Sequence, residues 1–282
     1  MPVNENNIGK GEIKTMENPR LLRLKEKLGN GGVALCGGVY YTDSLITEQL
    51  GVLGFDMLWI DQEHTGFSLE NIRNHLQAAA LTGKVSMVRV TDHDPARIKP
   101  ILELGPDAVI FPMVNTAEQA RAVIEACLYP PEGVRGYGPI RAQQFYQVPM
   151  DEYLRDVKDC FWRVIQIEHE EGVRNLDEIL SVPGIDSVVV GPNDLAASIG
   201  LLGQNKHPQM LKLMDEIAKT CRRHNVPLGA SIAYNEQNIR DWIGRGAAWF
   251  GIGMDMSYIN TGAKSVIDGT KKLLREAGKE ND

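Results

Sequence analysis

Two short apolar runs end in side chains that could do chemistry. Arg163-Val-Ile-Gln166-Ile-Glu168-His169 puts an amide and a carboxylate two residues apart, on one face of a strand. Ser187-Val-Val-Val-Gly191-Pro192-Asn193-Asp194 carries a second carboxylate just past the end of what reads as the next strand. Two carboxylates on neighbouring strand ends make a candidate cation site. No Cys or His pair stands at ligand spacing beside them, so the donors favour a hard or borderline octahedral ion. Mg²⁺ or Mn²⁺ fits, with Co²⁺ also admissible, completed by water and substrate oxygens. A metal held by only two protein groups keeps open positions, which a Lewis-acid role requires.

Other reactive types fall at similar places. The run Met57-Leu-Trp-Ile-Asp61 leads into Gln62, Glu63 and His64. His64 with Asp61 three residues earlier resembles an imidazole oriented by a carboxylate, a pair suited to moving a proton near neutral pH. Arg89, inside the apolar run Val85–Val90, offers a forked donor for a substrate carboxylate. Metal, base and clamp together describe enolisation of a 2-oxo acid. None of the strand-like runs contains a lysine, Lys84 only preceding the third, so a Schiff-base aldolase has no candidate amine. Each residue also has a plain structural reading. Asp194 could cap a short helix, Glu168 could form a buried ion pair with Arg163 or Arg89, and His64 could be a satisfied loop histidine. An unpaired Arg89 in an apolar strand is the hardest to explain structurally, because a buried guanidinium without a partner is costly.

The elements that must carry these residues follow a regular beat. Strand-like runs are expected at Val33–Gly37, Met57–Asp61, Val85–Val90, Ala108–Pro112, Trp162–Glu168, Ser187–Val190, Leu228–Ile232 and Trp249–Gly253, eight in all. Amphipathic stretches lie between them at Leu69–Ala80, Pro95–Leu104, Ala117–Cys127, Val173–Leu180, Met210–Arg223 and Glu236–Gly244. Ser68, Asp94, Thr116 and Asn235 stand where N-caps belong, and Gly83, Gly105 and Gly246 where helices stop. Strands too apolar to face water on either side imply a parallel sheet. Eight such units predict a (β/α)₈ TIM barrel, an α/β fold, with an open doubly wound sheet as the alternative. In a barrel all strand C-terminal ends share one mouth, which gathers Asp61, Glu63, His64, Arg89, Gln166, Glu168 and Asp194.

Four segments lie outside that beat. Residues 1–17 read as a polar tail, and residues 18–282 as one barrel domain. Asn18-Pro19 opens an N-terminal helix with a stripe of Leu21, Leu22, Leu24 and Leu28, expected to lid one barrel end. Leu128–Asp159, dense in turn residues, interrupts the pattern as a loop packing on a barrel face or an interface. A last helix over Ala263–Ala277 closes the ring or reaches a neighbouring subunit.

Composition narrows the partners. A 282-residue chain, 43% hydrophobic, supports one large core. A net charge of −7 with no basic cluster beyond Arg222-Arg223-His224 argues against nucleic acid or a membrane surface. Four scattered cysteines (Cys36, Cys127, Cys160, Cys221) read as thiols in a reducing compartment. No secretory h-region and no span of about 18 uncharged apolar residues is found, so a cytoplasmic location is expected.

Several of these segments resemble, in order, the signatures of the HpcH/HpaI aldolase family. They are Leu58-Trp-Ile-Asp61-Gln-Glu63-His64, Met87-Val-Arg89, Phe111-Pro-Met-Val114, Gly133-Val-Arg135-Gly136-Tyr-Gly138, Val164-Ile-Gln166-Ile-Glu168 and Val190-Gly191-Pro192-Asn-Asp194-Leu195. The resemblance covers roughly residues 30–260. It implies class II, metal-dependent, pyruvate-specific aldolase chemistry: cleavage of a 4-hydroxy-2-oxo acid to pyruvate and an aldehyde through a metal-stabilised enolate. It also implies a homohexamer whose last helix is exchanged between subunits. Glu168 and Asp194 would bind the divalent metal, and Arg89 and Gln166 would hold pyruvate. His64 and Asp61 would form the proton-transfer dyad, and backbone N–H groups around Asn193 and Asp194 would meet the pyruvate carboxylate. Gln62, His169 and the N-terminal extension depart from the family pattern and bear on the aldehyde. An oxaloacetate decarboxylase or acyl-CoA lyase on the same barrel is the alternative, though no basic nucleotide groove is found. A catalytically silent binding or assembly subunit is a third reading.

Overall fold

The computed structural model describes residues 16–279. The residues of the expected polar tail before Met16 lie outside this range. The chain opens with α1 (Pro19–Gly29), β1 (Ala34–Val39), α2 (Leu45–Leu53), β2 (Met57–Asp61), α3 (Leu69–Leu81) and β3 (Val85–Arg89). It continues through α4 (Pro95–Glu103), β4 (Ala108–Phe111), α5 (Ala117–Cys127), α6 (Met150–Asp156) and β5 (Trp162–Ile167). Then come α7 (Glu170–Arg174), α8 (Leu176–Leu180), β6 (Ser187–Val190), α9 (Pro192–Ser198) and α10 (Pro208–Arg223). β7 (Leu228–Ile232), α11 (Glu236–Arg245), β8 (Trp249–Met254) and α12 (Asp255–Glu276) complete the chain. All eight strands pair in parallel with their sequence neighbours, and β8 pairs with β1, closing the barrel. This is the (β/α)₈ architecture expected from the beat, and the open sheet is excluded.

The core has two layers, as the strand alternation requires. Outward residues such as Ile60, Val88, Val109 and Ile165 pack with Ile72, Ile98, Val123 and Ile217 of the helices. Inward residues Cys36, Met57, Trp59, Val85, Met87, Ala108, Trp162, Val164 and Trp249 fill the barrel. Full burial of a Val or Met side chain such as Val85, Met57 or Met87 contributes roughly 1.5–3 kcal/mol. Gly229 has no side chain because Trp249 occupies that space; a Cβ there would stand 2.1 Å from the indole ring.

The helices start where their caps stand. Asn18, Ser68, Asp94, Thr116 and Asn235 each accept a backbone N–H of the first helical turn through their side chains. α1 buries Leu21 and Leu24 against the inward core at the strand N-terminal end, so the predicted lid is present. The 128–159 segment folds against that same end, with Ala142 N–H donating to Glu103 O at 3.1 Å and Tyr129, Tyr153 and Val157 forming a small core. It packs on a barrel face, one of the two placements expected, and contains α6, which its aperiodic sequence hid.

Other boundaries differ from expectation. α2 lies between β1 and β2, and the expected Val173–Leu180 helix is two short helices meeting at Asn175. The last helix begins at Asp255 rather than Ala263. Beyond Tyr258 all of α12 is exposed, including Ile259, Val266, Ile267, Leu273 and Leu274. These recur about every seven residues and form one apolar stripe. Among the described residues no helix is long and apolar enough to cross a membrane.

Candidate active site

The inward rows that begin as core end as chemistry at the strand C-terminal mouth. After Met57 and Trp59 the next inward residue of β2 is Asp61; after Val85 and Met87 that of β3 is Arg89; after Trp162 and Val164 that of β5 is Gln166, followed by Glu168. Asp61 and Arg89 are direct partners in the β2–β3 register. Asp61, Arg89, Gln166 and Glu168 are all buried. The mouth opens into a cavity of about 1290 Å³ lined by residues that include Arg89, Trp59, Tyr40, Asn193 and Ser231.

Arg89 is the hub. Its Nε donates to Asp61 Oδ1 at 3.0 Å and its Nη2 to Asp61 Oδ2. Its Nη1 lies 2.8 Å from Glu63 Oε2 and 3.4 Å from Gln166 Oε1. The guanidinium also sits 5.2 Å from the Trp59 ring centroid. Gln166 Nε2 donates to Glu168 Oε2, and Met113 N–H donates to Glu168 Oε1 at 2.8 Å. A chain of contacts thus runs from β2 across β3 to β5. Burial, opposed in part by the Met113 N–H and assisted by the charges of Glu63 and Asp194, pushes the Glu168 carboxyl up to about 7. Burial likewise raises Glu63, and the Arg89 charge opposes it.

Gly191 explains why the β6 end can approach so closely. A Cβ there would stand 2.7 Å from Glu168 Oε2 and 2.9 Å from Gln166 Nε2. Only glycine lets this backbone lie against both groups. Asp194 follows as the third residue of α9, whose N-cap is Gly191, so the short helix exists but Asp194 does not cap it. Asn193 and Asp194 are exposed. Glu168 pairs with neither arginine: Arg163 is bound to Asp186 at 2.8 Å, and Arg89 to Asp61 and Glu63.

One expected contact is corrected. The His64 imidazole does not pair with the Asp61 carboxylate; its Nε2 lies 3.8 Å from Glu63 Oε2, and only its backbone N–H reaches Asp61 Oδ1, at 3.3 Å. The reason is acceptor capacity. Asp61 Oδ1 already takes Arg89 Nε and the backbone N–H groups of Glu63 and His64, Oδ2 takes Arg89 Nη2, and the Tyr40 phenol is within reach of the same carboxylate, which leaves little capacity for an imidazole. Glu63, the other partner of Arg89, is the residue whose part the sequence reading left unassigned. It stands two residues beyond Asp61, a spacing that could have drawn notice.

Whether these residues suit a cation is a question of donors and charge. Glu168 offers oxygens fixed by Gln166 and Met113, beside a second carboxylate whose charge it feels. Among the described residues no group of three or more His, Cys, Asp or Glu is placed to hold a metal. The carboxylate oxygens of Glu168, with the charge of Asp194 nearby, are donors of the type a hard divalent ion takes.

Comparison with known proteins agrees with this picture. The model of the HpcH/HpaI aldolase/citrate lyase family matches residues 40–261. The 4-hydroxy-2-oxo-heptane-1,7-dioate aldolase of Shigella sonnei (strain Ss046) is 34% identical over 242 residues, covering 85% of this chain and 90% of its own. The hydroxypyruvate/pyruvate aldolase of Roseobacter denitrificans is 35% identical over 246 residues, covering 86% and 94%. The crystal structure of the HpcH/HpaI aldolase from Desulfitobacterium hafniense DCB-2 superposes with a TM-score of 0.81 at 27% identity, over 89% of this chain and 96% of that one. On that family match and those identities, the chain belongs to the HpcH/HpaI aldolase/citrate lyase family and is a carbon–carbon lyase of the aldolase class.

Proposed function

We propose that the protein reversibly cleaves a 4-hydroxy-2-oxo acid to pyruvate and an aldehyde. The observation that carries this reading is the buried Arg89–Asp61 pair abutting the Gln166–Glu168 pair at one mouth. The relatives named as aldolases, one for 4-hydroxy-2-oxo-heptane-1,7-dioate and one for hydroxypyruvate and pyruvate, support the substrate class. Glu168 and Asp194 would hold a divalent ion, Mg²⁺ or Mn²⁺ with Co²⁺ admissible. When bound, that ion supplies Lewis-acid stabilisation of negative charge developing on substrate oxygens.

The chain's own residues do the remaining work. Arg89, oriented by Asp61, holds the 2-oxo acid end, and Gln166 fixes the same end from β5. Backbone N–H groups at the start of α9, around Asn193 and Asp194, face the substrate carboxylate. His64, more than half exposed at the rim and near Glu63, takes the proton of the C4 hydroxyl as the C3–C4 bond breaks. Asp61 acts through Arg89 instead of through the imidazole. Chelation of the divalent ion is expected to abolish pyruvate release, with activity returning on Mg²⁺ or Mn²⁺ addition. Activity that survived chelation, with borohydride trapping a pyruvate adduct, would sink the metal-dependent reading. The gathering of Arg89, Asp61, Gln166 and Glu168 at one mouth weighs against a silent assembly subunit.

The exposed apolar stripe of α12 supports exchange of this helix within a homohexamer. Its first turn is tied to its own barrel, with Tyr258 OH donating to Ile252 O at 2.6 Å, while the rest offers Val266, Ile267 and Leu273 to another surface. Light scattering is expected to give a hexamer for the full chain and a smaller species after truncation beyond Tyr258; a full-length monomer would refute the exchange. A cytoplasmic setting fits the four free cysteines.

A further inference from the structure

We propose that Tyr40 is a specificity-determining residue of this site, its phenol donating a hydrogen bond to an oxygen on the aldehyde half of a hydroxylated substrate. Asp255 is the positioning residue that holds Tyr40 there. The proposal rests on the aldol reading above and names the aldehyde class.

Tyr40 continues the inward alternation of β1 through Ala34, Cys36 and Gly38, and it lines the mouth cavity beside Arg89 and Trp59. Its backbone is gripped from the far end of the chain. Asp255, completely buried, accepts the N–H of Tyr40 at 2.7 Å and of Tyr41 at 2.9 Å through Oδ2, and that of Met256 at 2.8 Å through Oδ1. One carboxylate oxygen bridging consecutive amides holds both peptide planes, and with them the direction of the Tyr40 side chain.

The phenol is arranged to donate. Burial, followed by the charge of Asp61, pushes it well above the ordinary tyrosine range, so it keeps its proton at neutral pH. The phenol lies within reach of the Asp61 carboxylate, whose oxygens already serve Arg89 and two backbone N–H groups, so a substrate oxygen entering the cavity competes with a heavily used acceptor for the phenol proton.

The wall around it suggests which oxygen. Gln166 and Glu168 stand on β5, on the opposite side of the barrel from β1, so a 2-oxo acid held between Arg89 and Gln166 turns its far half toward β1. Toward β7 the neighbour is the Ser231 hydroxyl, with only Gly251 on the intervening strand. These two groups are neutral; the charged groups of the same cavity, Lys206, Asp241 and Arg245, come from the connection between α9 and α10 and from α11. A small hydroxyaldehyde matches this wall better than a semialdehyde carboxylate.

The test measures pyruvate release by the Mn²⁺-loaded enzyme from the pyruvate adducts of glycolaldehyde, propanal and succinic semialdehyde. The wild type is expected to favour the glycolaldehyde adduct over the propanal adduct by about tenfold in kcat/KM, and Tyr40→Phe to bring that ratio toward one. Asp255→Ala should collapse the same ratio, and Asp255→Asn, which keeps an acceptor oxygen, should restore it. An unchanged ratio in Tyr40→Phe overturns the proposal whether or not the Asp255 variants fold. Preference of the wild type for the succinic semialdehyde adduct overturns the aldehyde class. Absence of pyruvate from every adduct is a different failure, that of the aldol reading itself.

Discussion

The barrel buries a carboxylate with an arginine at each end, and the two ends differ in balance. At the strand N-terminal end, fully buried Asp107 accepts from Asn18 Nδ2 at 2.6 Å, Arg20 Nε at 3.0 Å and Nη2 at 2.7 Å, and Ser86 N–H and Oγ at 2.8 and 2.9 Å. One negative charge meets one positive charge, and its acceptor sites are filled. At the mouth, Asp61 and Glu63 both pair with Arg89, Glu168 adds a further carboxylate that feels the charges of Glu63 and Asp194, and Glu168 is raised to about 7. A satisfied buried charge holds a fold together; a surplus of one sign with displaced titration marks a place prepared for something else. Residue type alone does not separate the two, because Asp107 and Asp61 both end apolar surroundings in a carboxylate.

The sharpest way to break the comparison is to remove the surplus. Glu168→Gln is expected to lower kcat/KM by at least about a thousandfold, the scale of losing a preorganised charge interaction at a reacting centre. The same variant probes stability. In metal-free protein the Glu168 carboxyl keeps its proton in the fold up to about 7 but loses it near 4.5 when unfolded. The native state therefore binds more protons in that window, and stability falls as pH rises through it and stays reduced above. Denaturation between pH 5 and 8 with chelator present should show that slope in the wild type and lack it in Glu168→Gln. Equal slopes would mean that Glu168 is not strained.

The smaller effect lies at the other end. Asp107→Ala strands Arg20, the Asn18 amide and the Ser86 N–H, and is expected to cost roughly 3–5 kcal/mol in urea denaturation. Its folded fraction should keep kcat/KM within about threefold. A large catalytic loss without a stability loss would erase the distinction between the two ends.

Much of the mouth was legible because strands alternate with a period of two. Asp61, Arg89, Gln166 and Glu168 share parity with buried Met57, Met87 and Val164, so their joint inward orientation follows from counting. The caps at Ser68, Asp94, Thr116 and Asn235 were legible for a similar reason: a cap acts within three residues of itself. Less local features were not. The start of α12 at Asp255 was hidden because its first turn is held by the ends of β8 and β1 instead of by a helical stripe.

What the sequence by itself determined is therefore the alternation of elements, the inward rows and the residue types that end them. Each depends on spacings of a few residues. Which partner each charge takes was decided only by the tertiary structure. Barrel closure puts Asp255 on the amides of Tyr40 and Tyr41, more than 200 residues earlier, and lets Arg89 claim the Asp61 oxygens that His64 was expected to share. The physical reason is that a carboxylate has a limited number of acceptor sites. Their allocation depends on every donor the fold brings within reach.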